Sequence, residues 1–498
     1  MFPNRESIFI QEVKELNAVR KKIMALFSIY TNLAVPAKAA MWYVVCTFFQ
    51  KGIATITTPI FTRILDVGEY GRASTFYSWE EFATVVITFA LSSVVYTKGI
   101  IQREENADAY TSEMMTLSFV TAISSFGICS LLYLINGKVF AIDFRYICLI
   151  YLSAVFTTII DFYNQKNRVM YKYIPVIVLT MTMVLMKPVL AITAITLFPG
   201  DKVLARVTAP ILLMAMIGSV LGYRMLRRGK SYVNLPVWKE SMLFVLPLIP
   251  HYLSQRVLSQ SDRIMIQQMV GNDSAGIYSL AYSVGMLTNF LSVAISNAFN
   301  PMMFRNFKEK NYRKVGAFSE KLMIWFALCG IFFSMVSPEL VGIFATKAYY
   351  EAIYIIPIIS LSMYFIFVYS QLIQVEYYNG KTKYIMVATI FSAAVNLILN
   401  FIFIPRFGYI AAAYTTLFCY ILYALGHYII ASIISREFFR IKSVFDGKKI
   451  IMISIVAFIG SIGAMLLYRY TIPRWGAAAV VLLLIIQYTL RILKGYER

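Results

Sequence analysis

Apolar stretches of roughly 18 or more residues recur along the whole chain, and short polar segments separate them. Each stretch is long enough to cross the hydrocarbon core of a bilayer as a helix. Of the 498 residues, 59% are hydrophobic and only 14% are charged, which is more apolar surface than a water-soluble core can hide. The alternation of apolar and polar residues that marks a membrane barrel is absent. The sequence therefore predicts an all-α integral membrane protein.

About fourteen transmembrane helices account for these stretches. We predict spans at roughly residues 39–62, 73–98, 113–135, 144–163, 173–197, 204–226, 241–270, 275–301, 317–345, 352–375, 384–405, 409–435, 450–468 and 475–492. If the N-terminus is cytoplasmic, about 32 of the 46 Lys and Arg residues lie in cytoplasmic segments and about 10 in external ones. This bias predicts that both termini are cytoplasmic.

The first residues of the chain precede the spans. Residues 1–38 mix charges with apolar residues at helical spacing, among them Ile10, Val13 and Leu16. This pattern predicts a cytoplasmic amphipathic leader on the inner leaflet, and a plain solvated leader is the alternative. A cleaved signal is not indicated, because the segment has no uninterrupted apolar core.

An internal repeat divides the spans into two halves. The segment LDVGEYGRASTFYS (residues 65–78) aligns without a gap on VGNDSAGIYSLAYS (residues 270–283), and Gly71 then falls opposite Gly276. The same register sets Lys51 opposite Arg256. A weaker echo sets Asp161 and the three residues after it against Glu376 and its three successors.

Six spans separate the two repeats, so both halves have the same orientation in the membrane and are related by an axis along its normal. The sequence thus predicts two pseudo-symmetric six-helix bundles, an N-terminal one over residues 39–240 and a C-terminal one with a basic cytoplasmic linker over 241–449. Two additional helices over 450–498 complete the chain. In transporters built this way, the substrate site lies between the halves.

Three segments resemble one known family. TPIFTRILDVGEYG (58–71), LPLIPHYLSQRVLSQSDRIMI (246–266) and NLILNFIFIPRFGYIAAAYTT (396–416) are similar to the polysaccharide flippases of the multidrug/oligosaccharidyl-lipid/polysaccharide (MOP) exporter superfamily. The resemblance implies a flippase of the bacterial cytoplasmic membrane that carries polyprenyl-diphosphate-linked oligosaccharides from the inner to the outer leaflet by alternating access, for surface polysaccharide biosynthesis. It implies neither an enzyme activity nor a cofactor. It also implies that transport is coupled to an H⁺ or Na⁺ gradient, and that membrane lipids and polysaccharide assembly enzymes are partners.

Cations inside spans are the first candidates for binding a pyrophosphate, because an unpaired charge in lipid is costly. Lys51, Lys187, Arg256 and Arg263 are the clearest, and Gln260 lies on the same helix face as the two arginines. Arginine offers paired donors to phosphate oxygens, and glutamine suits sugar hydroxyls. Alternatively, Arg263 extends to the headgroups or pairs with Asp262, and Lys187 beside Pro188 only marks a kink.

Four acidic residues are candidates for a gate or for ion coupling: Asp161, Glu376, Glu80 and Glu81. For Asp161 and Glu376 the alternative is that they balance cations at nearby helix ends. Asn396 and Asn400, one turn apart, either line the cavity or bond to a neighbouring helix, which is the commoner use. His251 is interpreted as structural, because it lies at a helix break.

Other functions find less support in the sequence. The five cysteines lie in apolar stretches without close spacing, so neither a disulfide framework nor a metal site is predicted. The net charge is +21, and the basic residues lie in short loops between spans. Contact with lipid phosphate explains basic residues in these places better than binding to nucleic acid does. A drug or metabolite cation antiporter and a peptidoglycan-precursor flippase of the same superfamily remain alternatives. A membrane glycan polymerase is disfavoured, because the loops between spans are short.

Overall fold

The computed structural model describes residues 31, 33–137 and 142–496, which are almost entirely helical. The predicted leader lies mostly outside these residues. The α-helices are α1 (Val35–Ile64), α2 (Val67–Thr88), α3 (Val94–Gln102), α4 (Ala107–Asn136), α5 (Phe144–Val169), α6 (Tyr173–Leu197), α7 (Lys202–Gly229), α8 (Leu235–Val245), α9 (Ile249–Met269), α10 (Asn272–Gly285), α11 (Leu287–Lys308), α12 (Tyr312–Met335), α13 (Ser337–Phe344), α14 (Ile356–Tyr378), α15 (Thr382–Phe407), α16 (Tyr409–Phe438), α17 (Gly447–Leu466) and α18 (Thr471–Tyr496).

Fourteen membrane crossings follow from these helices. Eleven candidate spans in the described part of the chain are long and apolar enough to cross a bilayer alone. The other three crossings each consist of two consecutive helices, α2 with α3, α8 with α9, and α10 with α11. The prediction of an all-α membrane protein with about fourteen transmembrane helices is confirmed.

Some predicted spans are divided, for local backbone reasons. The second span was expected to be continuous, but it breaks after Thr88, where Phe89 and Ala90 both have φ of 50°. The seventh span turns through a short 3₁₀ segment at Leu246–Leu248, which contains a proline. The ninth predicted span, 317–345, ends at Met335, and Pro338 begins the separate short helix α13.

The helices form two lobes with equivalent packing. In the N-lobe, α6 packs against α1 and α7, and α5 packs against α2 and α7. In the C-lobe, α15 packs in the same way against α9 and α16, and α14 against α10 and α16. Corresponding helices therefore make corresponding contacts, and the predicted pair of pseudo-symmetric six-helix bundles is confirmed.

The lobes meet at one face of the bundle, which we call the Leu65 face because α1 ends there; the opposite face, where α7 ends, is the Lys230 face. At the Leu65 face α2 packs on α10 so closely that a Cβ added to Gly71 would lie 2.1 Å from the Asn272 carbonyl oxygen. A Cβ added to Gly276 would lie 2.1 Å from the Val67 carbonyl oxygen. In each case the obstructing carbonyl lies four residues before the partner glycine, so the contact is reciprocal.

Further contacts close the same face. Thr62 Oγ1 donates to the Phe344 carbonyl at 2.6 Å, and Arg63 Nη2 donates to the Ile343 carbonyl at 3.0 Å. Away from this face the lobes are asymmetric, because α9 lies along α2 whereas α1 makes few contacts with α10. The structure is thus closed at the Leu65 face.

The first half of the seventh crossing belongs to the N-lobe by its packing. Trp238 Nε1 of α8 donates to the Glu113 carbonyl at 2.9 Å, and Asn234 Nδ2 donates to the Glu113 carboxylate at 3.0 Å. The second half, α9, packs in the C-lobe against α15. The chain therefore changes lobe at the 3₁₀ segment Leu246–Leu248.

The last two helices attach to the outside of the C-lobe. Both α17 and α18 pack against α12. Arg474 of α18 holds Glu339 of α13 through two hydrogen bonds, Nη1 to Oε2 at 2.6 Å and Nη2 to Oε1 at 2.5 Å, and it also donates to the Met335 carbonyl at 2.6 Å. Trp325 Nε1 donates to Thr489 Oγ1 at 2.8 Å. These bonds fix α18 on both the α12 side and the α13 side.

Candidate functional site

The polar face of α9 lies against α2 of the other lobe. Arg256 Nη1 donates to Glu81 Oε2 at 2.8 Å, and Gln260 Nε2 donates to the same oxygen at 2.9 Å. Gln260 Oε1 accepts from Ser78 Oγ at 3.0 Å and from Arg263 Nη1 at 2.6 Å. Spacings of four and three residues place the α9 side chains in one row. Because Ser78 and Glu81 belong to α2, this row joins the two lobes.

The ion pair in this row is accessible. The side chains of Arg256 and Glu81 are each 46% exposed, although both lie near the middle of their membrane crossings. Because an exposed charged pair at that depth is costly in lipid, we expect it to face water between the lobes. Arg263 lies nearer the Leu65 face, with its guanidinium 4.5 Å above the Tyr282 ring. It does not form the predicted alternative pair with Asp262.

A second group of charges lies within the N-lobe, beside the first. Glu80 of α2 accepts a hydrogen bond from Ser153 of α5. Lys187 of α6 lies within electrostatic range of both Glu80 and Asp161. Since Glu80 and Glu81 are consecutive, α2 presents one carboxylate to Lys187 and the other to Arg256. Four of the predicted site residues on α2, α5 and α6 thus meet around one region.

Lys51 occupies the corresponding place on the first helix but contacts different groups. Its Nζ lies 4.9 Å above the Phe290 ring of α11. Lys51 thus reaches from the N-lobe to the C-lobe, as Arg256 reaches from the C-lobe to the N-lobe. The sequence repeat correctly paired these positions, but the structure does not bring the two side chains into contact.

Glu376 lies apart from the other acidic candidates. It is fully buried in the C-lobe, where Oε1 is 2.5 Å from His427 Nδ1 of α16. The rings of Tyr369 and Tyr423 flank the histidine. Asp161 is exposed, so the two acids that the sequence echo aligned occupy different environments. The partner of Glu376 is therefore the buried His427, and not the cations at nearby helix ends that the sequence offered as the alternative.

A buried carboxylate, Asp262, lies next to the arginine row, and the sequence had suggested it only as an alternative partner of Arg263. Asp262 accepts from Tyr278 Oη at 2.5 Å, Asn400 Nδ2 at 2.7 Å and Thr416 Oγ1 at 2.7 Å. Asn396 joins the same network, because its Nδ2 donates to Thr416 Oγ1 at 3.1 Å and its Oδ1 accepts from Asn400 Nδ2 at 3.3 Å. These bonds link α9, α10, α15 and α16, so the asparagines serve helix-to-helix bonding. The one-turn spacing of Asn396 and Asn400 was the signal for this network in the sequence, but it did not identify Asp262 as the bonding partner.

Arg206 is a further buried cation that was not among the candidates predicted from the sequence. It lies in the apolar start of α7 and is buried, with its guanidinium 4.3 Å above the Phe61 ring and 5.1 Å above the Tyr70 ring. Both rings belong to helices that meet the C-lobe at the Leu65 face. The aromatic faces stabilise the cation without a carboxylate. An arginine four residues inside an apolar span was the signal in the sequence.

The polar groups of this region suit ionic and hydroxyl-rich ligands. Guanidinium and ammonium groups bind phosphate oxygens, and amides bind sugar hydroxyls. Within the described residues, no group of three or more His, Cys, Asp or Glu is placed to hold a metal ion. All five cysteines are free thiols. The region is therefore equipped for binding between two lobes.

Two lobes, fourteen crossings and charges at the lobe interface are the architecture of a membrane transporter. A family model described as polysaccharide biosynthesis protein matches residues 37–307, and one described as MatE matches residues 247–402. The first match covers more than half of the chain, so the chain belongs to the polysaccharide biosynthesis protein family of the MOP superfamily. No curated protein matches the chain.

Solved structures share the fold at low sequence identity. A lipid II flippase MurJ in an inward closed conformation aligns over 92% of this chain and 100% of its own, with a TM-score of 0.68 and 14% identity. An inward-facing multidrug resistance MATE transporter aligns over 82% of this chain and 95% of its own, with a TM-score of 0.58 and 13% identity. A MOP superfamily transporter from Pyrococcus furiosus aligns over 80% of this chain and 96% of its own, with a TM-score of 0.52 and 15% identity. These matches support the MOP transporter fold.

Proposed function

We propose that the chain is a flippase that carries polyprenyl-diphosphate-linked oligosaccharides from the inner to the outer leaflet of a bacterial cytoplasmic membrane. The observation that carries this proposal is the row of Arg256, Gln260 and Arg263, which extends from mid-membrane toward the closed Leu65 face. The pyrophosphate that joins lipid and glycan carries two negative charges, and a guanidinium pair aligned along its path lowers the cost of taking it into the membrane. Membership of the polysaccharide biosynthesis family supports the same substrate class.

In this proposal the Lys230 face is cytoplasmic. The basic segments at the ends of α7, α11 and α16 lie on that face, as the distribution of positive charge in membrane proteins predicts. The structure is closed at the opposite face, which corresponds to the state that receives substrate from the inner leaflet. The lipid chain of the substrate stays in the membrane, while the pyrophosphate and sugars enter between the lobes beside α1, which makes few contacts with α10.

The Arg256 to Glu81 contact is the proposed link between binding and lobe movement. When pyrophosphate binds Arg256, it competes with Glu81 for the guanidinium and releases a bond that joins the lobes at mid-membrane. The lobes then rock, the Leu65 face opens, and the glycan leaves on the outer side. We further propose that Glu80 and Asp161, beside Lys187, take up the H⁺ or Na⁺ that couples transport to an ion gradient.

Reconstitution tests the flippase proposal. The protein is placed in liposomes with a fluorescent polyprenyl-diphosphate oligosaccharide, and the appearance of glycan in the opposite leaflet is followed. We expect Arg256→Ala and Lys51→Ala to slow the movement about tenfold each, because each removes a charge-assisted contact to phosphate. Arg227→Ala, which removes an exposed cation of the Lys230 face, is the matched control and should transport at the wild-type rate.

The same experiment separates the rival function. The carboxylates Glu80, Glu81 and Asp161 lie among the cations, and an acidic site is what a cation antiporter requires. Glycan movement no faster than in empty liposomes, with several glycans and imposed ion gradients, would reject the flippase. Uptake of a lipophilic cation that Glu80→Gln abolishes would then establish the antiporter.

A further inference from the structure

A polar cavity and an apolar groove adjoin at the Lys230 face, outside the interface between the lobes. The polar cavity has a volume of about 800 Å³ and lies between α12, α16 and the linker that precedes α17. The groove has a volume of about 390 Å³ and runs between α14, α16 and α17. Tyr428 and Gly447 line both. Tyr428 and Gly447 also contact each other, so the polar and the apolar space lie on either side of this pair. One ligand with a polar and an apolar part can therefore reach both.

The polar end carries an excess of positive charge. Its lining contains five cations, Arg313, Arg436, Lys442, Lys448 and Lys449, and two acids, Glu320 and Asp446. Lys449 Nζ bonds to Glu320 at 2.8 Å, and Asp446 accepts from the backbone amides of Lys448 and Lys449. Both acids are thereby engaged, while the other four cations have no ion pair within the part of the chain that the structure describes.

The floor of this cavity is held firmly. The linker residues Val444 and Phe445 are buried, and a Cβ added to Gly316 of α12 would lie 2.1 Å from the Val444 carbonyl oxygen. Ser432 and Ser443 bond through their hydroxyls at 3.1 Å. The cations thus surround a built cavity rather than a loose loop. Its side toward the membrane is formed by Ile429 and Ile433, which are both more than half exposed.

The apolar end has the length of a lipid chain. Its lining on α17 runs from Gly447 to Phe458, which is about 16 Å of helix at 1.5 Å per residue. One leaflet of a bilayer core is about 15 Å thick. Leu425 of α16 and Phe365 of α14 form the opposite walls. A single acyl chain standing in the leaflet fits this groove beside a headgroup in the cavity.

We propose that this site holds an anionic phospholipid of the leaflet at the Lys230 face, with its phosphate among Arg313, Arg436 and Lys442 and one chain in the groove. Basic pockets between membrane helices bind anionic headgroups by charge complementarity. All lining residues belong to α12, α14, α16, α17 and their linker, and none to the N-lobe. Rocking of the lobes therefore cannot carry this ligand across, so it is a resident lipid and not the transported one. The inference is independent of the proposed function.

The test compares lipid retention by purified full-length variants, using native mass spectrometry and titration with diphosphatidylglycerol and with zwitterionic phosphatidylcholine. Arg436→Gln/Lys442→Gln should weaken diphosphatidylglycerol binding about thirtyfold, because it removes two cationic contacts. The matched control, Arg227→Gln/Arg228→Gln, removes two exposed charges from the same face outside the site and should bind as the wild type. Equal binding by both double variants would overturn the proposal.

Three further arms define the ligand. Leu425→Trp fills the groove with every charge intact and should also weaken binding; retention at the wild-type level would overturn the role of the groove. Inorganic phosphate should not displace the lipid, and displacement would overturn the requirement for a chain. Polyprenyl diphosphate should compete no better than phosphatidylcholine, whereas strong competition would assign the site to the transported lipid and overturn a resident phospholipid.

Discussion

The Gly276→Val substitution is expected to prevent closure of the Leu65 face and to abolish transport in a protein that still folds. The new side chain would meet the Val67 carbonyl oxygen, which is backbone and cannot swing away. Overpacking of this kind costs about 1–3 kcal/mol or more, and 3 kcal/mol shifts the ratio of closed to open lobes about 150-fold. The substitution leaves each lobe intact because the clash exists only where the lobes meet. Gly71→Val should act in the same way against Asn272.

A distance across the face measures this effect directly. Spin labels at positions 200 and 350, in a background without the native cysteines, report the separation of the lobes at the Leu65 face. Wild type should give mainly the short distance, and Gly276→Val the long one. The matched control is Gly127→Ala, in a helix where an added Cβ meets nothing within 4 Å. A short distance in Gly276→Val would show that the glycine contact does not govern closure.

The second large effect is expected from Glu339→Ala, which should lower the free energy of unfolding by about 3–5 kcal/mol. The substitution leaves the guanidinium of Arg474, only 4% exposed, without its carboxylate. Thermal unfolding in detergent measures the loss. Arg474→Met combined with Glu339→Ala should recover part of the stability, because an apolar side chain needs no partner. Glu309→Ala, which removes the partner of exposed Arg305, is the control and should cost about 1 kcal/mol or less.

The same pair predicts a dependence of stability on pH. The hydrogen bonds from Arg474 hold the pKa of Glu339 below its usual range. The stabilisation is therefore complete above the pKa of the unfolded chain and is lost as the pH falls through the lower pKa of the folded state. On acidification the wild type should approach the stability of Glu339→Ala. An unchanged difference between the two proteins at low pH would contradict this assignment.

Hydropathy was sufficient for the fold class because lipid imposes a simple rule on helix length. The repeat around Gly71 and Gly276 also carried the lobe symmetry, since a close helix contact requires the same small residue in both halves. The breaks in the second and seventh crossings were not predictable from hydropathy alone. The break after Thr88 depends on left-handed backbone at Phe89 and Ala90, which the tertiary structure imposes.

The candidate site was predictable in part, for an equally physical reason. Helical spacing alone aligns Arg256, Gln260 and Arg263, because one helix supplies all three. Their partners on α2 come from a distant part of the sequence, and only the packing of the lobes pairs Glu81 with Arg256. The hydrogen bonds of Asp262 were not predictable, because its partners lie on three other helices. Which candidates bind substrate stays a prediction until transport is measured.

The glycine contact at the Leu65 face has a consequence for the ancestry of such chains. Each half offers the other the same surface, a glycine and the carbonyl four residues before it. A self-complementary surface of this kind is what two identical subunits use across a two-fold axis. Each half has six crossings, so duplication and fusion in tandem preserve the orientation of both. A six-helix ancestor would therefore have formed the closed face as a homodimer, before the two copies became one polypeptide. Of the two corresponding helices α1 and α9, only α9 then came to pack along the opposite half.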